Sequence, residues 1–430
     1  MTLKRFRTPL SQFNLNILNN KIILCLLLFG LFSACSSLSV YKQPRKNHNE
    51  PEQVFLNEYL KQVKGKKACL LSNQAGLARF LLQPPADDQN LTKLHEMFQA
   101  HDVAIAAIFT PEHGISAQEE NHGTRPQVNY RIESNYKKSV EELVALYEDC
   151  EAIIFNLADA GIRPYTYRTI LSRSMRAASE MKTEPVFFLI DTPNPAAFIG
   201  PSGPMTVESY FGFLGDMPIP YMPGLTYAEL SLWQINKEKL NTKLVIIEME
   251  DYDPDDHPLQ RNFRYFPPSP NLPDFRSIEC YWAMLVLEGT IMEEGRGTKD
   301  PFCSMGHPDF IAGNLPPAMP GVIWQEYSFV PFAGRYKDKF IQGMRLKIID
   351  PYDYNPVKTA YLFLQWLIKT YPDQDWLKKL PDGRYRLDQL LGEEEFRRSV
   401  QQMVPFEEYE ANQYPKIKQF KKQTRKYKIY

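Results

Sequence analysis

Five consecutive residues, Thr110-Pro111-Glu112-His113-Gly114, combine a hydroxyl, a carboxyl group and an imidazole with two turn-formers. They follow an apolar run, Val103 to Phe109. A carboxyl group behind a proline at a buried strand end loses solvation, which raises its proton affinity toward neutral pH. A general acid needs that property. Glu112 is therefore the candidate acid, and His113 the group that orients it or binds a ligand beside it. A loop or helix-capping carboxylate has the same sequence appearance.

Three other segments place polar groups beside Gly or Pro just after an apolar run: Ser72-Asn73-Gln74-Ala75-Gly76, Asp159 to Tyr167, and Asp191-Thr192-Pro193-Asn194-Pro195. Arg163 offers a guanidinium fork that can clamp an anion or hydroxyls. Tyr165 and Tyr167 offer flat faces for a sugar ring. Asp159 and Asp191 can bind hydroxyls or cap turns. A fifth segment, Glu288 to Thr298, sets Glu288, Glu293 and Glu294 around Arg296, which Gly295 and Gly297 flank. Burying so many charges without purpose is costly, and glycines let backbone approach a ligand closely. Glycoside hydrolysis uses two carboxyl groups across the scissile bond. Glu288 and Glu294 are the candidates for the second.

Other chemistries lack their motifs. No G-x-G-x-x-G follows the first apolar run and no G-x-x-x-x-G-K-[ST] occurs, so no nucleotide cofactor is expected. The G-x-S-x-G elbow of serine hydrolases is absent. His113 and His122 lie near Glu112, Glu119 and Glu120, yet no H-x-x-x-H spacing or obvious third ligand accompanies them, and no metal is expected. Lys and Arg total 50 against 51 Asp and Glu, which gives no reason to expect a nucleic-acid partner.

The elements that must position these residues follow from periodicity. Lys67 to Ser72, Val103 to Phe109, Ala152 to Leu157, Val186 to Ile190 and Leu244 to Ile247 read as strands. Asn90 to Ala100, Ser139 to Tyr147 and Thr169 to Met181 have helical spacing. Short apolar runs separated by helices argue for βαβ units and a parallel sheet. Residues 54–245 are thus expected to form a Rossmann-like, doubly wound domain. The four polar segments then share its carboxyl edge, where ligands bind in such sheets. After Asp251 the texture is less regular: a Pro-rich stretch from Phe266 to Pro273, helices near 281–287, 356–370 and 386–404, and a strand at 345–349. Residues 246–430 are expected to form a smaller α+β domain, ending in a solvated basic segment from Lys416 to Tyr430.

The N-terminus reads as a targeting segment. Residues 1–21 carry Lys4, Arg5, Arg7 and Lys21 and no acid, and an apolar run from Ile22 to Phe32 follows. That run is short for a membrane span and fits a secretory signal. The sequence Phe32-Ser33-Ala34-Cys35-Ser36 resembles a bacterial lipoprotein signal, although Phe32 stands where Leu is usual. The resemblance implies cleavage after residue 34 and lipid on the Cys35 thiol. Residues 36–53 read as a tether holding an exported body to a membrane, facing the periplasm or the cell surface. The six cysteines show no C-x-x-C spacing. Cys69, Cys150, Cys280 and Cys303 are expected to be buried free thiols.

Taken in order, Leu71 to Gly76, Thr110 to Gly114, Asp159 to Tyr167, Asp191 to Pro195, Pro267 to Pro273, and Glu288-Gly289-Thr290 with Glu294 to Thr298 resemble a bacterial family, the NamZ-type exo-β-N-acetylmuramidases. The resemblance covers about residues 54–305. It implies a cleft between the two domains and removal of terminal N-acetylmuramic acid from non-reducing ends of peptidoglycan fragments without a cofactor. It puts Glu112 at the catalytic glutamate, and Asn73, His113, Arg163, Tyr165, Asn271 and Arg296 at substrate-facing positions. Departures occur at Pro223, where His is common, at Ile291, where Asn is common, and at Ser202-Gly203-Pro204, where Glu-Gly-Pro is common. Two other functions fit the same residues: a non-catalytic lipoprotein that binds muropeptides or another glycan in the cleft, and a metal-dependent amidase or deacetylase.

Overall fold

The structure, a computed structural model, describes residues 50–81, 94–112, 114, 130–260, 265–311 and 313–430, which belong to one compact unit. His113, His122, Glu119 and Glu120 lie outside the described residues, as do the signal segment with Cys35 and most of the tether.

A six-stranded sheet is built from β1 (Lys67–Ser72), β2 (Ala104–Thr110), β3 (Arg131–Ser134), β4 (Ala152–Asn156), β5 (Val186–Ile190) and β8 (Lys243–Ile247). Its order is β3-β2-β1-β4-β5-β8 and every pairing is parallel. The order reverses between β1 and β4, the switch point of a doubly wound sheet. Parallel strands are covered on both faces, so their sequences are apolar throughout rather than alternating. All five residues of β4 are buried. Cys69, Leu71, Ile153, Phe155, Phe187 and Leu189 enter one core, and Leu70, Ile154, Phe188 and Ile190 the other, in the two-residue alternation of a strand.

The helices that matter to the site are α1 (Gln74–Leu81), α2 (Val140–Leu146), α3 (Tyr167–Glu180) and α4 (Tyr227–Glu238). Ser139 with Glu142, and Thr226 with Glu229, close reciprocal capping boxes at the starts of α2 and α4. Gly76 of α1 lies so close to β4 that a Cβ there would fall 2.2 Å from the Asn156 carbonyl oxygen. That contact is a packing reason for the glycine in Ser72-Asn73-Gln74-Ala75-Gly76. The short strands β6 (Ser202–Met205) and β7 (Pro220–Met222) pair antiparallel in a two-stranded sheet.

The second part carries α5 (Phe275–Met284), a 3₁₀ turn Leu285–Gly289, and an antiparallel sheet ordered β10-β11-β9 from β9 (Ser304–His307), β10 (Val322–Glu326) and β11 (Gln342–Ile348). Then follow α6 (Pro356–Thr370), α7 (Arg386–Leu391), α8 (Glu395–Gln401) and α9 (Phe406–Thr424). The α5 and α6 core is continuous with one face of the large sheet, through Trp282, Tyr361 and Tyr227.

Two expectations change. The basic C-terminal segment is not a solvated tail. Tyr409, Gln413, Ile417, Phe420 and Thr424 recur at helical spacing and are buried, and the Tyr430 hydroxyl reaches Asp191 Oδ2 at 3.0 Å. Nor are the four cysteines free: Cys69 is bonded to Cys150, and Cys280 to Cys303. The fold joins residues 81 and 23 positions apart, separations that no local motif announces. Cys69 lies in β1, and Cys150 stands just ahead of the adjacent β4.

Candidate active site

Glu112 stands in the turn after β2, half-buried rather than buried. Strand register decides its neighbour. Thr110 pairs with Ser134 of β3, so the residues two beyond each, Glu112 and Tyr136, leave the sheet side by side. The Tyr136 hydroxyl donates to Glu112 Oε1 at 2.7 Å. The Tyr136 ring packs edge-on against Phe213 at 5.0 Å, which limits where the phenol can swing.

A second carboxylate comes from the other half of the chain. Glu288, in the turn after α5, accepts from Arg296 through Oε1 and from Arg386 through Oε2 at 3.3 Å. Arg296 also donates to Glu294 Oε1 at 2.9 Å. Burial pushes the Tyr136 phenol up, its bond to Glu112 adds to this, and the charges of both Glu112 and Glu288 act in the same direction. Burial likewise raises the Tyr281 phenol, and Glu288 and Glu112 raise it further. Tyr136 and Tyr281 thus each feel the charges of both Glu112 and Glu288.

An aromatic path links the two walls. Tyr167 and Tyr165 have ring centroids 4.4 Å apart, Tyr165 and Tyr281 6.3 Å, and Tyr281 and Phe302 4.8 Å. The Arg296 guanidinium lies over Phe302 at 5.1 Å. The Pro-rich loop is fastened to this floor: Asn73 Nδ2 and the Tyr167 hydroxyl both donate to the Pro268 carbonyl, at 3.2 and 2.9 Å.

Several expected ligand-facing residues have structural partners instead. Arg163 is 1% exposed and gives its guanidinium to the carbonyls of Leu214 (3.0 Å), Leu390 (3.3 Å) and Leu391 (2.7 Å). Burial lowers its pKa to about 10. An anion clamp at Arg163 would have to break those bonds. Asp159 is buried in an ion pair with Arg168 and accepts from the Gly161 amide at 3.1 Å. Asn73 is 1% exposed; it caps α1 through the Gly76 amide (3.2 Å) and ties down the loop. The Tyr165 ring is packed between two other tyrosines, so it offers no open face to a sugar. Glu293 accepts from the amides of Gly295 (3.1 Å) and Tyr336 (3.4 Å). Burial, then the charge of Glu294, pushes the Glu293 carboxyl up to about 7. Glu288, Glu294, Arg296 and Arg386 are thus one bonded group, Glu112 acts on the same two phenols as Glu288, and Asn271 is half-buried in the Pro-rich loop; His113 lies outside the described residues.

Tyr136 and Arg386 were not visible as site residues. β3, Arg131-Ile132-Glu133-Ser134, has one apolar residue in four, so neither the strand nor the tyrosine beyond it shows in periodicity. Arg386 opens α7, almost a hundred residues from the carboxylate it bonds. The one usable signal was the run of polar strand ends, which a further strand would extend.

Residues 69–276 match the N-terminal domain and residues 279–430 the C-terminal domain of the family described as exo-beta-N-acetylmuramidase NamZ. The chain is 28% identical to the peptidoglycan beta-N-acetylmuramidase NamZ of Bacillus subtilis strain 168, over 94% of this chain and 97% of that one. Two crystal structures of DUF1343 family proteins from Bacteroides fragilis NCTC 9343 share the fold. One has a TM-score of 0.75 at 24% identity and covers 90% of this chain and all of the other. The second has a TM-score of 0.64 at 23% identity, over 88% and 98%.

Proposed function

This chain belongs to the exo-beta-N-acetylmuramidase NamZ family, and from that premise we propose that it is a glycoside hydrolase releasing terminal N-acetylmuramic acid from the non-reducing ends of peptidoglycan fragments, in cell-wall turnover. The observation that carries the reading is that two carboxyl groups with unlike partners, Glu112 and Glu288, act on the same two phenols, Tyr136 and Tyr281. Among the described residues the Tyr136 phenol donates to Glu112 Oε1, and Glu112 is half-buried. Glu288 is bonded by two guanidinium groups.

Glu112 protonates the glycosidic oxygen as the bond to the anomeric carbon breaks and its electron pair leaves with the aglycone. Positive charge then builds on the sugar ring, and Glu288 stands in place to stabilise it until water adds. Arg296 and Arg386 keep about a third of their side chains exposed, 34% and 28%. They are the groups that would meet the lactyl carboxylate, a charge that distinguishes muramic acid from glucosamine.

Replacing Glu112 by Gln tests this reading. Release of a chromophore from a β-linked N-acetylmuramic acid glycoside should fall by at least about a thousandfold, with unfolding unchanged. Full activity in the variant would overturn the assignment. Binding without release in the unmodified protein would make the chain a glycan-binding protein. Two disulfides support an exported location, because such bonds persist in oxidising compartments. The proposed anchor predicts a mature N-terminal peptide that begins at a lipid-modified Cys35, readable by mass spectrometry. A mature chain retaining residues 1–34 would exclude it.

A further inference from the structure

A groove of about 850 Å³ lies between the last turn of α4 and the last turns of α9, far from Glu112. α4 starts at the carboxyl edge of the sheet, where the Ala228 amide donates to Asp191 Oδ1 at 3.1 Å. It runs back toward β8, so Lys237 lies about 14 Å along the helix axis from that edge, at 1.5 Å per residue. The groove therefore opens on the side of the sheet opposite the catalytic cleft.

Its lining includes Lys237, Lys422, Arg425 and Lys426 and no acidic residue. Among the described residues none of these four cations has a carboxylate partner. Lys416, earlier on α9, is by contrast paired with Glu395 at 3.3 Å and Glu393 at 3.8 Å. Glu238, next to Lys237, is taken by Arg176 at 2.7 Å. Lys237 Nζ lies 4.6 Å over the Trp233 ring and Lys426 Nζ 4.8 Å over the Tyr427 ring, so aromatic faces hold both ammonium groups in place. Partial burial pushes the Lys237 ammonium down, and the charge of Glu238 opposes that shift. The basic character continues beyond the groove: residues 416–428 hold seven cations and no acid, in a chain whose net charge is −1. Four uncompensated cations in a concavity repel one another, and an anion in the groove would relieve that repulsion.

We propose that this groove docks the protein on an anionic membrane, by taking the phosphate of an acidic lipid headgroup while the flanking lysines of α9 meet neighbouring headgroups. Charge complementarity argues for that occupant. The cations follow the end of α9 and the turn after it, an arrangement that suits a charged plane. Such docking is compatible with the lipid anchor proposed at Cys35. Docked in this way, the catalytic cleft faces away from the lipid, toward the cell-wall side.

The test is cosedimentation of the full chain with vesicles of phosphatidylcholine alone or with added phosphatidylglycerol. Binding should require phosphatidylglycerol and weaken with salt. Replacing Lys237, Lys422, Arg425 and Lys426 by Gln should weaken it about fivefold per charge removed, and a Lys-to-Arg set that keeps the charge should bind as the original does. The N-terminus is the same in every protein compared, so the difference reports the groove. Hydrolysis of a soluble glycoside should not change. Equal binding by the Gln set, equal binding to neutral vesicles, or binding to a soluble acidic glycan without binding to vesicles would each overturn the proposal.

Discussion

Tyr136 donates its hydroxyl to Glu112 Oε1 at 2.7 Å, and two strands fix that contact before either side chain is considered. β2 and β3 are parallel and in register at Thr110 and Ser134. Each chain leaves the sheet at the same level, and the Asn135 amide bonds back to the Thr110 carbonyl at 2.8 Å. Glu112 is therefore aimed by backbone geometry and held by one phenol.

Tyr136→Phe should lower kcat by roughly 10- to 100-fold and leave KM within about twofold, since a hydrogen bond to a charged group is worth about 1.5–3 kcal/mol. The phenyl ring keeps the contact with Phe213, so unfolding should not shift. Steady-state kinetics with thermal unfolding makes the check. A rise in KM at constant kcat would instead make Tyr136 a binding group.

Arg163→Met separates a structural arginine from a ligand-binding one. The side chain is buried, and its removal leaves the carbonyls of Leu214, Leu390 and Leu391 without donors. Stability should fall by about 3–5 kcal/mol, read from a urea denaturation midpoint. KM of the folded fraction should stay unchanged. Unchanged stability with a raised KM would return Arg163 to the substrate.

The parallel sheet was legible because buried strands are written as unbroken apolar runs. Lys67 to Ser72 and Val186 to Ile190 have the observed limits, and α6 the expected ones. Glu112, Glu288 and Arg296 stand out in the sequence because Gly and Pro mark the loops that carry them. β3 was not legible, because an edge strand with one apolar residue has no period to read. The burial of Arg163 was not legible either, for a different reason. A guanidinium suited to an anion is equally suited to three carbonyls, and only burial separates the two uses. The disulfide pairing depended on strand order, which follows from the fold.

The two disulfides should contribute unequally. By loop-closure entropy, the Cys69–Cys150 link, spanning 81 residues, is worth about 4–5 kcal/mol. The Cys280–Cys303 link, spanning 23, is worth about 3 kcal/mol. Replacing each pair by Ala and measuring urea unfolding should show the larger loss for the first pair. Equal insensitivity of both variants to the change would argue that neither bond forms in the folded protein.

Asp191 gives the protein a pH-dependent stability whose sign can be worked out. Burial pushes its carboxyl up to about 7, against the lowering effect of bonds from the Thr226 hydroxyl, the Ala228 amide and the Tyr430 hydroxyl. In the unfolded chain an aspartic acid titrates near 4. Between those values the folded protein holds a proton that the unfolded chain has released, so unfolding sheds a proton and stability falls as pH rises. The contribution is complete below the unfolded value and is lost as pH rises through the folded value of about 7. Asp191→Asn keeps the shape of the protonated acid, and its amide can donate to the Tyr430 hydroxyl, but it cannot titrate. Urea midpoints at about pH 5 and about pH 8 should show the original protein gaining more stability on acidification than the variant. Other titrating groups are common to both proteins and cancel in the comparison. Parallel pH profiles would show that Asp191 keeps its charge in the folded state.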